Sequence, residues 1–292
     1  MRVLMYSRTP LAAAPWSIWR ALRKYTDIKV DLVNERDRYR DGRIFPHHLM
    51  LHDLNGNASR LFRQADIIHF HNYLPGTFPG RTRGQKILAQ FHSLPRLGNW
   101  EALWSAADIH YTIDQPGQIA EYKIPGLPNI IDPDELRPIR REPKIRIGFA
   151  PTSRTHIGRP DSKAYHEVVK ILDRIKGARD VDVDLIEGVP YFDNLRRKQR
   201  CHILIDDIVT GNWHRTSLEG FCIGAAVLAR VNKIPFCFTT PRTLEDRLIS
   251  LIDDQVTLED FQRRGREWIL KKWHPIEKIQ EYIRAYEAAG EL

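Results

Sequence analysis

Ile124–Arg141 reads IPGLPNIIDPDELRPIRR, and Pro125, Gly126, Pro128, Pro133 and Pro138 interrupt any regular spacing of its apolar residues. Proline at this density favours an extended connector over a helix or a central strand. Upstream of the connector, strand and helix patterns alternate. Arg2–Ser7 (RVLMYS) is an apolar run closed by Arg8, Thr9 and Pro10, and Pro15–Tyr25 then carries helical spacing through Trp16, Trp19 and Leu22. Further strands are predicted at Ile28–Val33, Ile67–His71, Lys86–Phe91 and Ile109–Ile113, with helices over Ala58–Gln64 and Asn99–Ser105. Downstream the alternation restarts. Strands at Ile145–Ala150, Asp182–Ile186, Ile203–Ile208 and Ala226–Ala229 enclose helices over Ser162–Lys176, Asn194–Gln199 and Arg215–Ile223. From Leu244 onward the pattern is helical, with an apolar face through Trp268, Leu270, Trp273 and Ile276.

Strands that alternate with helices imply parallel βαβ units in open sheets. The expected fold is therefore α/β, with two Rossmann-like doubly wound domains facing each other across a cleft. The expected domains are residues 1–126, residues 127–265, and closing helices over 266–292 that pack back towards the first domain. A ligand is expected at the carboxyl ends of the strands.

The 292 residues carry 42% hydrophobic and 28% charged side chains, a balance that excludes wholesale disorder. No apolar run approaches the roughly 20 residues of a membrane helix, and Met1 leads directly into a strand, so no leader segment is expected. Cys201, Cys222 and Cys237 are odd in number and lack metal-ligand or redox spacing, which implies reduced thiols and a cytoplasmic location. The net charge of +8 points to an anionic partner: a nucleotide diphosphate, a phospholipid surface or nucleic acid.

Several segments, in order, resemble the GT-B glycosyltransferases, and specifically the retaining family numbered four. Ala65–Asn72 (ADIIHFHN) is similar to a family strand, and Gln90–Ser93 (QFHS) to the next one, which ends in a histidine facing the donor sugar, here His92. Pro128–Pro138 (PNIIDPDELRP) resembles the family's interdomain linker. Ile203–Ala229 (ILIDDIVTGNWHRTSLEGFCIGAAVLA) resembles its nucleotide-sugar region, which places Glu219 on the glutamate whose carboxylate accepts both ribose hydroxyls. A second glutamate of larger subgroups falls on Gly211, as in other short members. Gly211, Asn212, His214 and Thr216 are implied to face the diphosphate from a loop and helix start.

Ile147–Arg159 (IGFAPTSRTHIGR) sits where the family has an arginine and a lysine-glycine pair on the diphosphate. The pair is not recognisable here. Arg154 and Arg159 are the candidate cations, and Lys163 is expected inside the following helix. Arg8–Pro15 (RTPLAAAP) occupies the place of the glycine-rich loop, with Ala13 and Ala14 allowing close backbone approach. Arg266–Pro275 resembles the closing helix, with Trp273 as packing.

The resemblance implies a hexosyltransferase-like enzyme that binds a nucleotide diphosphate sugar. It further implies retention by front-face attack, His92, Arg154 and Arg159 at the reaction, and no metal or other cofactor. His69 and His71 share a strand face, as a metal pair would, but no carboxylate accompanies them at ligand spacing. Asp182 and Asp184 have the spacing of a metal-holding pair but fall in a strand. The acceptor is open: a glycan, a lipid-linked acceptor or a modified DNA base, the last as in some phage GT-B enzymes. The alternatives are a catalytically weak nucleotide-sugar binding protein and a sugar-nucleotide epimerase of the same architecture.

Overall fold

The structure is a computed structural model that describes residues 1–36, 49–54, 57–76, 78–93, 100–151 and 163–291. The chain divides into two compact units, Met1–Ile130 with Pro275–Leu292, and Ile131–His274.

In the first unit the described strands are β1 (Arg2–Ser7), β2 (Lys29–Asn34), β3 (Leu49–Met50), β4 (Ile67–His71), β5 (Lys86–Phe91), β6 (Ile109–Ile113) and β7 (Gly126–Leu127). They form a parallel sheet in the order β3-β2-β1-β4-β5-β6-β7. The two-residue β7 is a departure from the expected connector. Thr112 N donates to Pro125 O at 2.9 Å and Asp114 N to Leu127 O at 2.9 Å, so the connector's first residues extend the sheet before the chain leaves it.

The helices of this unit are α1 (Ala14–Tyr25), α2 (Ala58–Gln64), α3 (Glu101–Ala106), α4 (Pro116–Tyr122) and the C-terminal helix Pro275–Glu291. Helix α1 begins with Pro15 in its first turn, where a missing N–H costs nothing, and ends with Arg23 and Lys24 near its negative pole. Its buried Trp16, Ile18, Trp19 and Leu22 follow the helical period, and Trp19 Nε1 donates to Val30 O at 3.1 Å.

In the second unit β8 (Arg146–Phe149), β9 (Asp182–Leu185), β10 (Ile203–Ile205), β11 (Ala226–Ala229) and β12 (Cys237–Phe238) form a parallel sheet in the order β12-β11-β10-β8-β9. The helices are α5 (Tyr165–Ala178), α6 (Tyr191–Gln199), α7 (Arg215–Cys222), α8 (Leu244–Asp253) and α9 (Gln255–Lys272); the C-terminal helix is α10. Strand period two sorts the core onto two faces. Ile203 and Ile205 pack with Ile171, Leu172, Leu248 and Leu251 of α5 and α8. Leu204 packs with Leu218, Phe221, Ile269 and Trp273 on the α7 and α9 side, where Trp273 is indeed buried. The connector's far end is tied down by Arg141, whose guanidinium donates to the carbonyls of Gln199, Ile223 and Gly224.

Helix α5 starts at Tyr165, three residues later than the sequence predicts. Ala164 adopts left-handed backbone with φ of 48°, which breaks the helical run and leaves Lys163 in the preceding loop. Among the described residues no helix is long and apolar enough to cross a membrane.

Helix α7 lies on the sheet through Gly220, where an added Cβ would stand 2.6 Å from Val227 Cγ2 and 3.2 Å from Leu204 Cδ1. Gly220→Ala should therefore destabilise the second unit by about 1–3 kcal/mol. Gly177→Ala, whose methyl meets nothing within 4 Å, should be neutral or stabilise by roughly 0.5–1 kcal/mol. Urea unfolding of the two variants checks this; equal midpoints would mean that α7 is not held by that contact.

Candidate functional site

Open parallel sheets bind ligands outside the carboxyl ends of their strands, where the strand order reverses. In the first unit that point lies between β1 and β4, and in the second between β8 and β10. The second of these is occupied by charge.

Asp206 follows β10 directly and is wholly buried. Its carboxylate accepts from Lys163 Nζ at 2.7 Å, from the backbone N of His214 at 2.8 Å and from Ser217 Oγ at 2.6 Å, with His214 Nδ1 at 3.2 Å. Lys163 Nζ also donates to Ala150 O at 3.3 Å, beyond the end of β8. One ammonium thus spans the strand reversal. Burial alone would raise the Asp206 carboxyl, but Lys163 and His214 press harder the other way and hold it well below its usual value.

Asp207, also buried, shapes the next loop by accepting from the backbone N of Val209 and Thr210 at 2.8 and 2.7 Å. The loop then turns through Gly211, whose φ of +82° favours glycine. Gly211, Asn212 and His214 are half-exposed ahead of α7, whereas Thr216 is buried in its first turn. His214 occupies the N-cap without a side-chain cap bond, because its ring nitrogen is turned to Asp206.

Glu219 sits one turn further along α7 and is 2% exposed. Lys198 Nζ of α6 donates to its Oε2 at 2.6 Å, and Arg215 Nε lies 3.6 Å from its Oε1. Lys198 also reaches Thr216 Oγ1 at 3.4 Å, and Arg215 donates to Tyr191 Oη at 3.1 Å. Burial pushes the Tyr191 hydroxyl up to about 12, so it stays a neutral acceptor.

The structure thus brings Thr216, Glu219 and His214 to one end of the second sheet and adds Lys163, Asp206 and Lys198. Sequence reasoning misses Lys198 because it joins Glu219 across two helices, with no local pattern to mark it. Lys163 did leave a signal: Lys163-Ala164 stands in the order of the lysine-glycine pair, and Ala164 takes the left-handed backbone that glycine would favour. Arg154 and Arg159 lie outside the described residues. Asp182 and Asp184 are engaged on the edge strand β9, Asp182 with Arg146 at 2.9 Å and Asp184 with Arg197.

In the first unit His92 follows β5, and its backbone N donates to Asn72 Oδ1 at 2.6 Å. Its Nε2 is 2.8 Å from Nδ1 of the buried His71. His69 lies beside His71 with ring centroids 4.1 Å apart, and its Nδ1 meets Tyr286 Oη of α10 at 2.9 Å. Burial lowers His69 to about 3 and His71 well below its ordinary value, so both are neutral. Ala13 and Ala14 are buried at the start of α1, and Leu11, Ala12 and Ala13 run through three successive positive φ values of 46°, 52° and 69°. Ala12 and Ala13 thus take up left-handed backbone that glycine would adopt without strain.

No protein-family model matches the chain, and no curated protein matches it in sequence. Solved structures do. An α-glucosyltransferase in complex with UDP and a 13-mer DNA containing an HMU base is similar with a TM-score of 0.69 at 10% identity, over 97% of this chain and 98% of that one. HepE of Anabaena in complex with UDP-glucose gives 0.68 at 11% identity, over 99% and 100% of the two chains. A putative UDP-N-acetylglucosamine 2-epimerase from Listeria monocytogenes gives 0.57 at 15% identity, over 99% and 96%. The chain has the GT-B fold.

Removing one partner of a buried ion pair strands the other, so Lys198→Met and Glu219→Gln should each lower stability by about 3–5 kcal/mol. The double variant should cost less than the sum by more than about 1 kcal/mol, and additivity within roughly 0.5 kcal/mol would show that the two side chains do not support each other. Asp206 gives a pH dependence with a definite sign. Its folded value is depressed, so its contribution is present above the ordinary value of 3.8 and is lost as pH falls below it. Urea midpoints followed from about pH 6 down to pH 3 should fall less steeply in Asp206→Asn than in the parent.

Proposed function

We propose that the chain is a glycosyltransferase that moves a sugar from a nucleoside diphosphate onto an acceptor hydroxyl, with retention and without a metal ion. The observation that carries this reading is the cation and helix start at the β8/β10 reversal: Lys163 held by Asp206, beside the first turn of α7. An ammonium, backbone N–H groups and the positive end of a helix dipole together suit a diphosphate.

On this reading the anomeric C–O bond to the β-phosphate breaks, its electron pair stays on the phosphate oxygen, and a new C–O bond forms to the acceptor. The acceptor's proton leaves with the diphosphate. Lys163, with Arg154 and Arg159 shortly before it in the sequence, meets the growing negative charge. Gly211, Asn212, His214 and Thr216 face the phosphates, Glu219 receives the ribose hydroxyls, and His92 and the Ala13–Ala14 segment serve the sugar side. Lys198 fixes the Glu219 carboxylate in place through their ion pair at 2.6 Å.

UDP in one similar structure and UDP-glucose in another make a UDP-sugar the first donor to test. Three free, buried thiols support a reducing compartment, the cytoplasm. The epimerase likeness is carried by the fold that all three structures share. A DNA base as acceptor is the second reading, favoured by the net charge of +8 and by the modified DNA in the α-glucosyltransferase complex.

Donor hydrolysis across a panel of nucleotide sugars, with no acceptor added, tests the main reading; no turnover of any donor would overturn it. Lys163→Met should lower kcat by about 10–100-fold, roughly 1.4–2.8 kcal/mol of barrier, with a smaller change in donor affinity. Turnover should survive excess chelator, because Asp182 and Asp184 are already committed to arginines. Loss restored only by manganese or magnesium would replace the metal-free mechanism. DNA retention in a gel shift that weakens steeply with salt would favour the DNA acceptor.

A further inference from the structure

The first unit buries a cluster of histidines at β4. His69 and His71 project from the same face of β4, wholly buried, with ring centroids 4.1 Å apart and planes tilted by 32°. Each engages a partner through Nδ1, His69 with Tyr286 Oη and His71 with His92 Nε2. Among the described residues His71 Nε2 has no hydrogen-bond partner. Gln90 of β5 completes the pocket by donating to Tyr282 Oη of α10 at 3.2 Å, and Tyr282 donates in turn to Pro128 O at 2.8 Å.

A neutral imidazole has one N–H, and its position decides what the neighbouring ring can do. Were the His71 proton on Nε2, an N–H donor would be buried with nothing to receive it, and buried orphaned donors are rarer than under-used acceptors. The proton therefore belongs on Nδ1, aimed at His92 Nε2 over 2.8 Å. His92 Nε2 must then be the acceptor. Its own proton is confined to Nδ1.

We propose that His71 is a positioning residue: by donating from Nδ1 to His92 Nε2 it fixes the His92 ring and locks it in the Nδ1–H tautomer, a neutral hydrogen-bond donor. Placing a proton on His92 Nε2 would set two donors against each other across 2.8 Å. Beside His71 lies His69, which meets Tyr282 and Tyr286 of α10, while the backbone of His92 is held by Asn72 and Gln118. Neutral His71, kept so by burial and by the neighbouring rings, cannot supply a second proton instead. The value of this arrangement to catalysis rests on the proposed glycosyl transfer, in which His92 meets the donor sugar, whereas the tautomer itself does not depend on that reading.

The experiment is long-range nitrogen-proton correlation NMR on the full chain with 15N-labelled histidine, with the His92 signals identified by their loss in His92→Gln. The expected spectrum shows a pyridine-like His92 Nε2 and a pyrrole-like His92 Nδ1 at neutral pH. A pyrrole-like Nε2 overturns the proposal, and so does a rapidly averaged ring. His71→Phe, which removes the donor, should release His92 to a mixture of tautomers, while His71→Asn, which keeps a side-chain N–H, should restore part of the preference. An unchanged His92 spectrum in His71→Phe would overturn the assignment of His71. Should the His71 variants fail to fold, the parent spectrum still decides. If donor turnover is found, His71→Phe should lower kcat by up to about 100-fold with KM little changed, and combined with His92→Gln it should add nothing further. Absence of turnover would sink the glycosyltransferase reading and leave the NMR result standing.

Discussion

A buried carboxylate must be met by donors and counter-charge, and the carboxyl end of the second unit's sheet is organised by that requirement at Asp206. The chain arrives there because β10 ends at Ile205, which puts the next side chain at the edge of the apolar sheet. Four groups converge on it from three segments: an ammonium from the loop before α5, the side chain and backbone of the α7 N-cap, and a hydroxyl from the first turn of α7. Each of these contacts also fixes the element that supplies it. Lys163 is thereby held across the ends of β8 and β10, and α7 is anchored at the end whose N–H groups have no helical partner. A lysine placed by packing alone would sample its flexible stem. This one is directed by a buried charge.

The first unit solves the opposite problem. Its sheet end carries imidazoles in place of carboxylates, and an imidazole can be buried at modest cost because it can give up its charge. Placing His69 beside His71 reinforces neutrality, since two adjacent imidazolium rings in an apolar setting would repel each other. The neutral rings then act as a set of directional hydrogen bonds, with α10 as the outer wall through Tyr282 and Tyr286. The strained turn at Leu11–Ala13 lies after β1, the strand next to β4 in the sheet. Each of its left-handed alanines costs of the order of 1 kcal/mol, which is sustained only where the surrounding structure dictates the backbone.

How much of this is legible in the sequence follows from the range of each interaction. The strands β1, β4, β5, β6 and β11 are readable to the residue because buried parallel strands are continuous apolar runs bounded by polar residues. The two-residue strands β3, β7 and β12 leave no periodicity to read, and β7 is further disguised by the prolines around it. The start of α5 is misjudged because helical spacing continues through Lys163 while the backbone at Ala164 does not. Glu219 and His92 are recognisable from local motif context. Their controlling partners are not: Lys198 lies 21 residues from Glu219, and His71 lies 21 residues from His92, each on a neighbouring element brought alongside only by the parallel crossover.

The two units therefore present different kinds of polarity at their strand ends, and the difference matters to the reading proposed for the chain. A diphosphate is recognised by cations and N–H groups whose own counter-charges are already satisfied, so that binding need not first dismantle a competing ion pair. At Lys163 the ammonium has three donors and is matched by one carboxylate oxygen and one carbonyl, so its hydrogen-bonding capacity is not exhausted by holding it in place. A sugar offers neutral hydroxyls, for which a fixed charge would trap solvent and a neutral ring of defined tautomer gives direction without that penalty. On the proposed reading, each unit by itself suits a different chemistry: the charge concentrated beside α7 suits a diphosphate, and the neutral imidazoles beside β4 suit hydroxyls that must later be released.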